Sequence, residues 1–125
     1  MISGIGIDMI DVDRIAERVG RENGFKEMIF SPGEIVYCEK MAHPAEHFAA
    51  RFAAKEAFFK ALGTGWLNGT SFNEIEVVHD EKMKPSLKLS GNTAEHLSAV
   101  IDISKVLVSL SHIKTVATAI VIIEK

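Results

Sequence analysis

The feature that most constrains the fold of this chain is an unbroken helix-forming run across residues 48–65. The run reads FAARFAAKEAFFKALGTG, with no proline and no glycine before Gly63. Ala, Leu, Lys and Glu all favour helices, so the run predicts one long helix. Pro44 suits the first turn of that helix, and Gly63 suits the left-handed residue just past its end. The rest of the chain must fold around this central helix.

The charged residues of the helix allow two interpretations. Glu56 lies one turn before Lys60, while Arg51 and Lys55 share a face at i,i+4, where like charges repel. An apolar stripe runs beside them, at Phe48, Phe52 and Phe59. On charge pattern alone, this is an ordinary amphipathic helix with a solvated basic edge. The alternative is a helix that binds an anionic ligand, because such a ligand would offset the repulsion between the cations.

Length and composition restrict the class of protein. A chain of 125 residues predicts one domain, spanning residues 1–125. Hydrophobic residues make up 47% of the chain, so we expect part of its surface to be buried between subunits. The net charge of −3 argues against a general nucleic-acid-binding protein, which is normally basic. Any anion site must therefore be local.

Cysteine usage and the distribution of apolar residues indicate a soluble cytoplasmic protein. Cys38 is the only cysteine, which excludes an internal disulfide and suits a reducing cytosol. We interpret it as a small core residue. The N-terminus lacks a basic region and no apolar run approaches 18 residues, so we expect neither a signal peptide nor a membrane-spanning helix.

The N-terminal segment predicts a strand over residues 2–10 that ends near an acidic residue. Gly4 and Gly6 alternate with isoleucines, and they would let another backbone or a ligand approach closely. Asp8 follows on the face that carries the glycines. An acid at a strand end is more often a cap or turn residue than a metal ligand. A second acid on the central helix, Glu56, makes a metal site a serious alternative.

A helix is predicted after this strand, capped by Asp11 or Asp13 and running toward Gly24. Three arginines fall at spacings of four and three, on one face of it: Arg14, Arg18 and Arg21. They form either a solvated basic face or a docking strip for an acidic partner. The spacing alone favours neither interpretation.

Capping signals predict two further helices. Ser31 and Glu34 form a capping box at the start of a helix that ends near Met41. Asn92 is the predicted N-cap of a short helix, with Glu95 at the capping-box position.

The remaining apolar runs predict strands. Residues 74–79 and 86–90 form a hairpin, and residues 105–112 and 116–123 form the last two strands. The β-branched residues of the last run suggest a strand buried on both faces. Together the elements predict an α+β fold, in which an antiparallel sheet packs on the long central helix.

Three motifs follow one another along the chain: GIGID at residues 4–8, RFAAKEAFFK leading to GTG at residues 51–65, and SLSH at residues 109–112. In this order they resemble the holo-acyl-carrier-protein synthases, the small class of 4'-phosphopantetheinyl transferases. The resemblance covers essentially the whole chain, including the NEIE strand at residues 73–76 and the Lys84-Pro85 turn. The F-x-x-K-E-A-x-x-K-A-x-G motif is specific, and the N-terminal aspartate strengthens it.

The resemblance implies a fold, an activity and an assembly. We expect the 4'-phosphopantetheinyl transferase fold and transfer of 4'-phosphopantetheine from coenzyme A to a serine of an acyl carrier protein, with release of 3',5'-ADP. This reaction supports fatty acid biosynthesis. The resemblance further implies a homotrimer with its three sites at subunit interfaces.

Roles for individual residues follow from the same resemblance. Asp8 and Glu56 match the residues that hold Mg²⁺, and Lys60 matches the residue that approaches the pyrophosphate. Arg51 and His112 match residues near the 3'-phosphate. The full set expected to contact coenzyme A is Arg51, Lys55, Lys60, Gly63, Thr64, Gly65, Ser111 and His112. In this family the carrier protein presents an acidic helix, so the three arginines at residues 14, 18 and 21 are expected to bind it.

The expected chemistry suits these residues. Mg²⁺ is a hard ion that takes carboxylates, phosphate oxygens and water, so two acids and a pyrophosphate are sufficient. Lys60 would add positive charge at the leaving phosphate, and the catalytic residues are therefore Glu56 and Lys60. The proton acceptor for the serine is either Glu56 or a water molecule that Glu56 orients. One departure is Ile113, where many relatives carry a polar residue after the histidine, so no hydrogen-bonding role is expected there.

Two other classes of protein remain possible from the residues alone. A nucleotide- or coenzyme-A-binding module without catalytic activity would keep Arg51, Lys60 and the glycines but would not need two acids near one ion. A subunit that serves only assembly would explain the apolar composition but not the Lys-Glu helix. Mg²⁺-dependent loss of coenzyme A in the presence of a carrier protein distinguishes the enzyme from both.

Overall fold

The computed structural model describes residues 1–125 as five helices and five strands. In chain order the elements are β1 (Ile2–Asp11), α1 (Val12–Gly20), α2 (Phe25–Ile29), α3 (Pro32–Glu39), α4 (Pro44–Leu62), β2 (Ile75–His79), β3 (Pro85–Leu89), α5 (Gly91–Leu97), β4 (Val106–His112) and β5 (Val116–Glu124). Short 3-10 turns precede β2 and β4. The predicted α+β fold is confirmed. None of the helices combines the length and apolar character needed to cross a bilayer.

Helix α4 is the centre of the molecule, as its sequence predicts. Pro44 occupies its first turn, and Gly63 ends it in the left-handed region with a φ of 80°. Twelve of its nineteen residues are buried, including all three phenylalanines of the predicted stripe. Arg51 and Lys55 are among the buried residues, so the interpretation as a solvated basic edge is wrong for these two cations. Lys60 alone of the three is exposed.

Three antiparallel strands pack on α4 in the order β1-β5-β4. In the middle strand, β5, buried residues that face α4 alternate with half-buried residues on the other face, so the predicted burial on both faces holds for only one of them in the single chain. Strand β1 lies very close to the helix at two glycines. A Cβ on Gly4 would stand 2.1 Å from the carbonyl oxygen of Ala61, and one on Gly6 would stand 2.0 Å from that of Ala57. Only glycine permits this approach, which places the next residue of the same face, Asp8, beside the helix.

The opposite face of this sheet is apolar and open to solvent. Ile5, Ile7 and Met9 alternate along β1 with 62%, 61% and 67% of their surface exposed. Residues of the neighbouring strands lie beside them on the same face, at Leu107, Ile120 and Ile122. We call these six residues the outer face. An apolar patch of this kind on one chain marks a surface for contact with another protein.

Local capping signals were partly right. The capping box of α3 is confirmed, because Ser31 Oγ accepts from the Glu34 amide at 3.1 Å and Glu34 Oε1 accepts from the Ser31 amide at 2.9 Å. The predicted Asn92 cap is wrong, since the N-cap of α5 is Ser90, two residues earlier, and it makes no side-chain bond. Instead Glu74 accepts from the Thr93 amide at 3.1 Å and from the Thr93 hydroxyl at 2.7 Å. An acid from a distant turn thus stabilises this helix start.

Candidate active site

A carboxylate and an ammonium meet where β1 crosses α4. Lys60 Nζ donates to Asp8 Oδ1 and to the Ile7 carbonyl, both at 3.0 Å. The Asp8 side chain is 16% exposed and that of Lys60 is 54% exposed, so the pair lies at the surface, where a ligand can reach it. The glycine contacts between β1 and α4 hold these two residues in register.

Glu56 belongs to the same group of charges. It is half-buried and lies one turn before Lys60 on α4. Burial raises the pKa of Glu56 above its usual value, and the negative charge of Asp8 raises this pKa further, while Lys60 lowers it. The structure therefore brings together Asp8, Glu56 and Lys60, which the sequence placed in one site. We call them the acidic site.

The donor set of the acidic site fits one hard divalent cation shared with a ligand. No group of three or more His, Cys, Asp or Glu residues could hold a metal ion by itself. Two carboxylates are a common protein contribution to Mg²⁺, which completes its shell with phosphate oxygens and water. Burial is the main cause of the raised pKa of Glu56, and the charge of Asp8 affects this pKa more than that of Lys60, so Lys60 alone does not offset the repulsion between the two acids. A divalent cation would do so.

A second cluster of side chains surrounds Arg51, which is 2% exposed. The guanidinium lies 4.2 Å from the centre of the Tyr37 ring. Its Nη1 donates to the His47 carbonyl at 3.4 Å, and its Nη2 lies 3.5 Å from His79 Nδ1. No hydrogen-bond partner is found for its Nε. Arg51 is thus a buried cation supported mainly by aromatic rings.

His112 joins this cluster from the end of β4. Its Nδ1 lies 3.0 Å from Glu46 Oε1, and its ring lies 5.1 Å from that of His47. The His47 ring in turn lies 6.1 Å from that of Tyr37, which stacks on His79 at 5.2 Å. Arg51 and His112, predicted to serve the same phosphate, are therefore connected through His47. We call the six residues Tyr37, Glu46, His47, Arg51, His79 and His112 the aromatic-basic cluster.

The acidic site and the aromatic-basic cluster lie on different sides of α4. Arg51 precedes Glu56 by five residues, which corresponds to about 140° around the helix axis at about 100° per residue. Lys60 and Asp8 lie on the Glu56 side. Within one chain, the predicted site residues thus form two separate groups.

Lys55 does not belong to either group, and its predicted role in binding an anionic ligand is wrong. Its side chain is fully buried. Nζ donates to Glu34 Oε1 and to the Phe72 carbonyl, both at 2.8 Å, and also to the Ile75 carbonyl. An ammonium has three protons, and all three are used inside the protein. Burial lowers the pKa of Lys55, and the Glu34 carboxylate acts in the opposite direction.

The other predicted ligand contacts lie on the surface. Gly63, Thr64 and Gly65 are exposed just past α4, and Gly65 has a left-handed φ of 64°. Ser111 and His112 are neighbours on β4, so their side chains leave opposite faces of the sheet. Ser111 therefore lies on the side of the outer face.

The three arginines are not aligned as predicted. Arg14 is exposed on α1, and the Arg18 guanidinium lies 5.9 Å from the centre of the Phe25 ring. Helix α1 ends at Gly20 and does not continue toward Gly24, so Arg21 lies beyond it and pairs with Glu17. The helical part of the docking strip is reduced to Arg14 and Arg18.

Sequence reasoning missed several residues of the aromatic-basic cluster: Tyr37, Glu46, His47 and His79. They come from α3, α4 and β2, and no motif joins them. One local signal existed for His47, which precedes Arg51 by four residues on the same helix. The others become neighbours only through the packing of the elements.

Comparison of the sequence with known proteins shows the family of this chain. A sequence model of the 4'-phosphopantetheinyl transferase superfamily matches residues 4–120. A holo-[acyl-carrier-protein] synthase of Geotalea daltonii is 43% identical over 126 residues, covering 100% of both chains.

Solved structures give the same result. The holo-[acyl-carrier-protein] synthase of Neisseria meningitidis has a TM-score of 0.87 and 34% identity, covering 100% of both chains. That of Helicobacter pylori, solved in complex with coenzyme A, has a TM-score of 0.80 and 33% identity, covering 96% of this chain and 99% of that one. The chain therefore belongs to the 4'-phosphopantetheinyl transferase superfamily, in the family of holo-[acyl-carrier-protein] synthases.

Proposed function

We propose that this enzyme transfers 4'-phosphopantetheine from coenzyme A to a serine hydroxyl of an acyl carrier protein, with Mg²⁺ bound, and releases 3',5'-ADP. The observation that carries the proposal is the acidic site, where two carboxylates and one lysine meet at the surface. A binding module without catalytic activity would have no need of two repelling acids. We also place the reaction in the cytoplasm, in support of fatty acid biosynthesis, as the resemblance implies.

Each residue of the acidic site has a role that follows from its position. Asp8 and Glu56 would hold Mg²⁺, which when bound neutralises charge on the pyrophosphate. Lys60 is exposed beside them, and its ammonium can donate to the same phosphate oxygens as negative charge develops on them. The candidate proton acceptor for the serine is Glu56 or a water molecule that Glu56 orients, because Glu56 is the half-buried carboxylate of the site.

A transfer assay tests the proposed function. The purified protein is incubated with coenzyme A and an apo-acyl carrier protein, with Mg²⁺ or with EDTA. We expect the carrier protein to gain the mass of phosphopantetheine and 3',5'-ADP to appear in equal amount, only with Mg²⁺. Binding of coenzyme A without any transfer to several carrier proteins would favour the binding module instead.

We further propose that three copies assemble through the outer face. Two observations support a shared site: this apolar face is uncovered in one chain, and the aromatic-basic cluster lies about 140° around α4 from Glu56. A site formed between chains can use the acidic site of one copy and the aromatic-basic cluster of another. The number three comes from the family resemblance.

Assembly can be tested by sedimentation and by mixing variants. We expect analytical ultracentrifugation to show a trimer at assay concentrations, and Ile7→Lys to dissociate it, because a charge would then be buried in an apolar contact. Inactive Glu56→Gln and Arg51→Ala subunits should regain activity when mixed, because some interfaces then join two intact half-sites. A monomeric wild-type protein would exclude the shared site.

We also propose that Arg14 and Arg18 steer the acidic carrier protein to the site. They form a local positive strip on a protein whose net charge is −3. Such a strip favours one acidic partner over polyanions in general.

Reversing both charges, in Arg14→Glu with Arg18→Glu, is expected to raise the KM for carrier protein while leaving that for coenzyme A nearly unchanged. Each exposed pair contributes only about 0.2–1 kcal/mol, so the double reversal is needed for a clear effect. Added salt should narrow the difference from wild type. Lys82→Glu with Lys88→Glu, at two exposed lysines on β3 and in the loop before it, is a matched control. An unchanged KM for carrier protein at low salt would show that the two arginines form a solvated face only.

A further inference from the structure

Arg51 is buried without a carboxylate partner, which is uncommon for a charged side chain. Only 2% of its surface is exposed, its Nε has no hydrogen-bond partner, and none of the salt bridges in the structure includes it. Lys55 lies one turn further along the same helix and is equally buried, but it is paired with Glu34. The positive charge of Arg51 is thus left uncompensated.

Two aromatic rings occupy the place that a carboxylate would normally take. The Tyr37 ring centre lies 4.2 Å from Arg51 Cζ. His79 stacks on Tyr37 at 5.2 Å with an interplanar angle of 18°, and its Nδ1 lies 3.5 Å from Arg51 Nη2. A ring face attracts a cation without cancelling its net charge. Tyr37 and His79 therefore hold the guanidinium in place and leave its positive charge uncompensated.

Two histidines lie between the buried charge of Arg51 and the surface. Arg51 Nη1 donates to the His47 carbonyl, and the half-buried His47 ring contacts that of the more exposed His112. After burial and the neighbouring His112, the charge of Arg51 is the next cause that lowers the pKa of His47. For His79, Arg51 is the second cause after burial. An anion beside these rings would feel the same positive charge.

We propose that Tyr37 and His79 are positioning residues that hold Arg51 unpaired, and that they thereby set the preference of the enzyme for a coenzyme A carrying the 3'-phosphate. This inference rests on the proposed function, in which Arg51 and His112 serve that phosphate. A substrate without the 3'-phosphate gains nothing from the charge of Arg51. Loss of either ring should therefore lower kcat/KM more for coenzyme A than for a substrate without the 3'-phosphate.

The experiment compares kcat/KM for coenzyme A with kcat/KM for 3'-dephospho-coenzyme A. Tyr37→Leu and His79→Leu remove one ring each. Tyr37→Phe, which keeps the ring face toward Arg51, and His79→Asn, which keeps a polar group near Arg51 Nη2, serve as matched controls. We expect each leucine variant to lose about tenfold in the ratio of the two values, the size of a desolvated cation–ring contact. The value for 3'-dephospho-coenzyme A should fall much less than the value for coenzyme A, and Tyr37→Phe and His79→Asn should keep most of the ratio.

Other outcomes overturn the inference in distinguishable ways. If the leucine variants lost kcat/KM equally with both substrates, the rings would only support the fold. Circular dichroism would then show a loss of folded structure in these variants. An unchanged ratio in both leucine variants, together with a collapsed ratio in Arg51→Ala, would leave the role of Arg51 intact and remove that of the rings. An unchanged ratio in Arg51→Ala would overturn both the inference and the assignment of the 3'-phosphate to Arg51.

Discussion

Replacing either carboxylate of the acidic site, in Glu56→Gln or Asp8→Asn, is expected to lower the rate of transfer by at least about a hundredfold, the range seen when one group that stabilises developing charge is removed. Each variant keeps the shape of the side chain but removes one of only two anionic groups that could hold the cation. In either variant, the positive charge of Lys60 would be balanced by the single remaining carboxylate, so little negative charge would be left to attract the cation. The concentration of Mg²⁺ needed for half-maximal activity should rise as well.

The measurement is a transfer assay at saturating coenzyme A over a series of Mg²⁺ concentrations. Glu95→Gln is the matched control, because Glu95 is an exposed acid on α5 outside either group of site residues. Circular dichroism establishes that each variant is folded. Near wild-type rates in both Glu56→Gln and Asp8→Asn would remove the two acids from the mechanism.

Local signals in the sequence pointed to each residue of the acidic site, and the family resemblance joined the three in one site. The bounds of α4 follow from composition, Pro44 and the left-handed Gly63. Gly4 and Gly6 mark the face of β1 that another backbone can approach closely, and in the structure that backbone is α4, which brings Asp8 beside the helix. Glu56 and Lys60 then follow from helical spacing. In each case the position of a side chain is decided by neighbours within one or two elements.

Lys55 could not be placed in this way. Periodicity shows which residues share a face of a helix, but α4 is covered on nearly every side, so sharing a face with Arg51 did not imply contact with solvent. The partner of Lys55, Glu34, precedes it by 21 residues, and sequence analysis had assigned Glu34 only a capping role. Glu34 performs both functions at once, and only the tertiary structure shows the second.

Contacts between distant parts of the chain also explain other differences between the sequence predictions and the structure. The start of α5 is stabilised by Glu74, which a local capping rule cannot find. The arginine face ended early because Gly20 terminates α1, although its spacing continued to Arg21. The separation of Arg51 from Glu56 was present in the helical spacing, and in the proposed trimer the two residues would serve one site from different chains.

The ion pair between Lys55 and Glu34 is expected to be the most costly contact to break. Lys55→Met should lower the free energy of unfolding by about 3–5 kcal/mol, because it leaves the Glu34 carboxylate buried without its cation. The two carbonyl groups of Phe72 and Ile75 would lose a donor at the same time. Urea denaturation measures the change, and Lys40→Met, at an exposed lysine, should stay within about 0.5 kcal/mol of wild type.

Adding Glu34→Gln to Lys55→Met separates the ion pair from the other contacts of Glu34. The double variant should lose less stability than the sum of the single variants, since neither charge is then left alone in the core. Some loss should remain, because Glu34 also accepts from the amides of Ser31 and Val77, both at 2.9 Å, and one glutamine oxygen cannot replace both carboxylate oxygens. A stable Lys55→Met protein with a raised KM for coenzyme A would reverse the conclusion drawn from the burial of Lys55, and would return this lysine to the anion site.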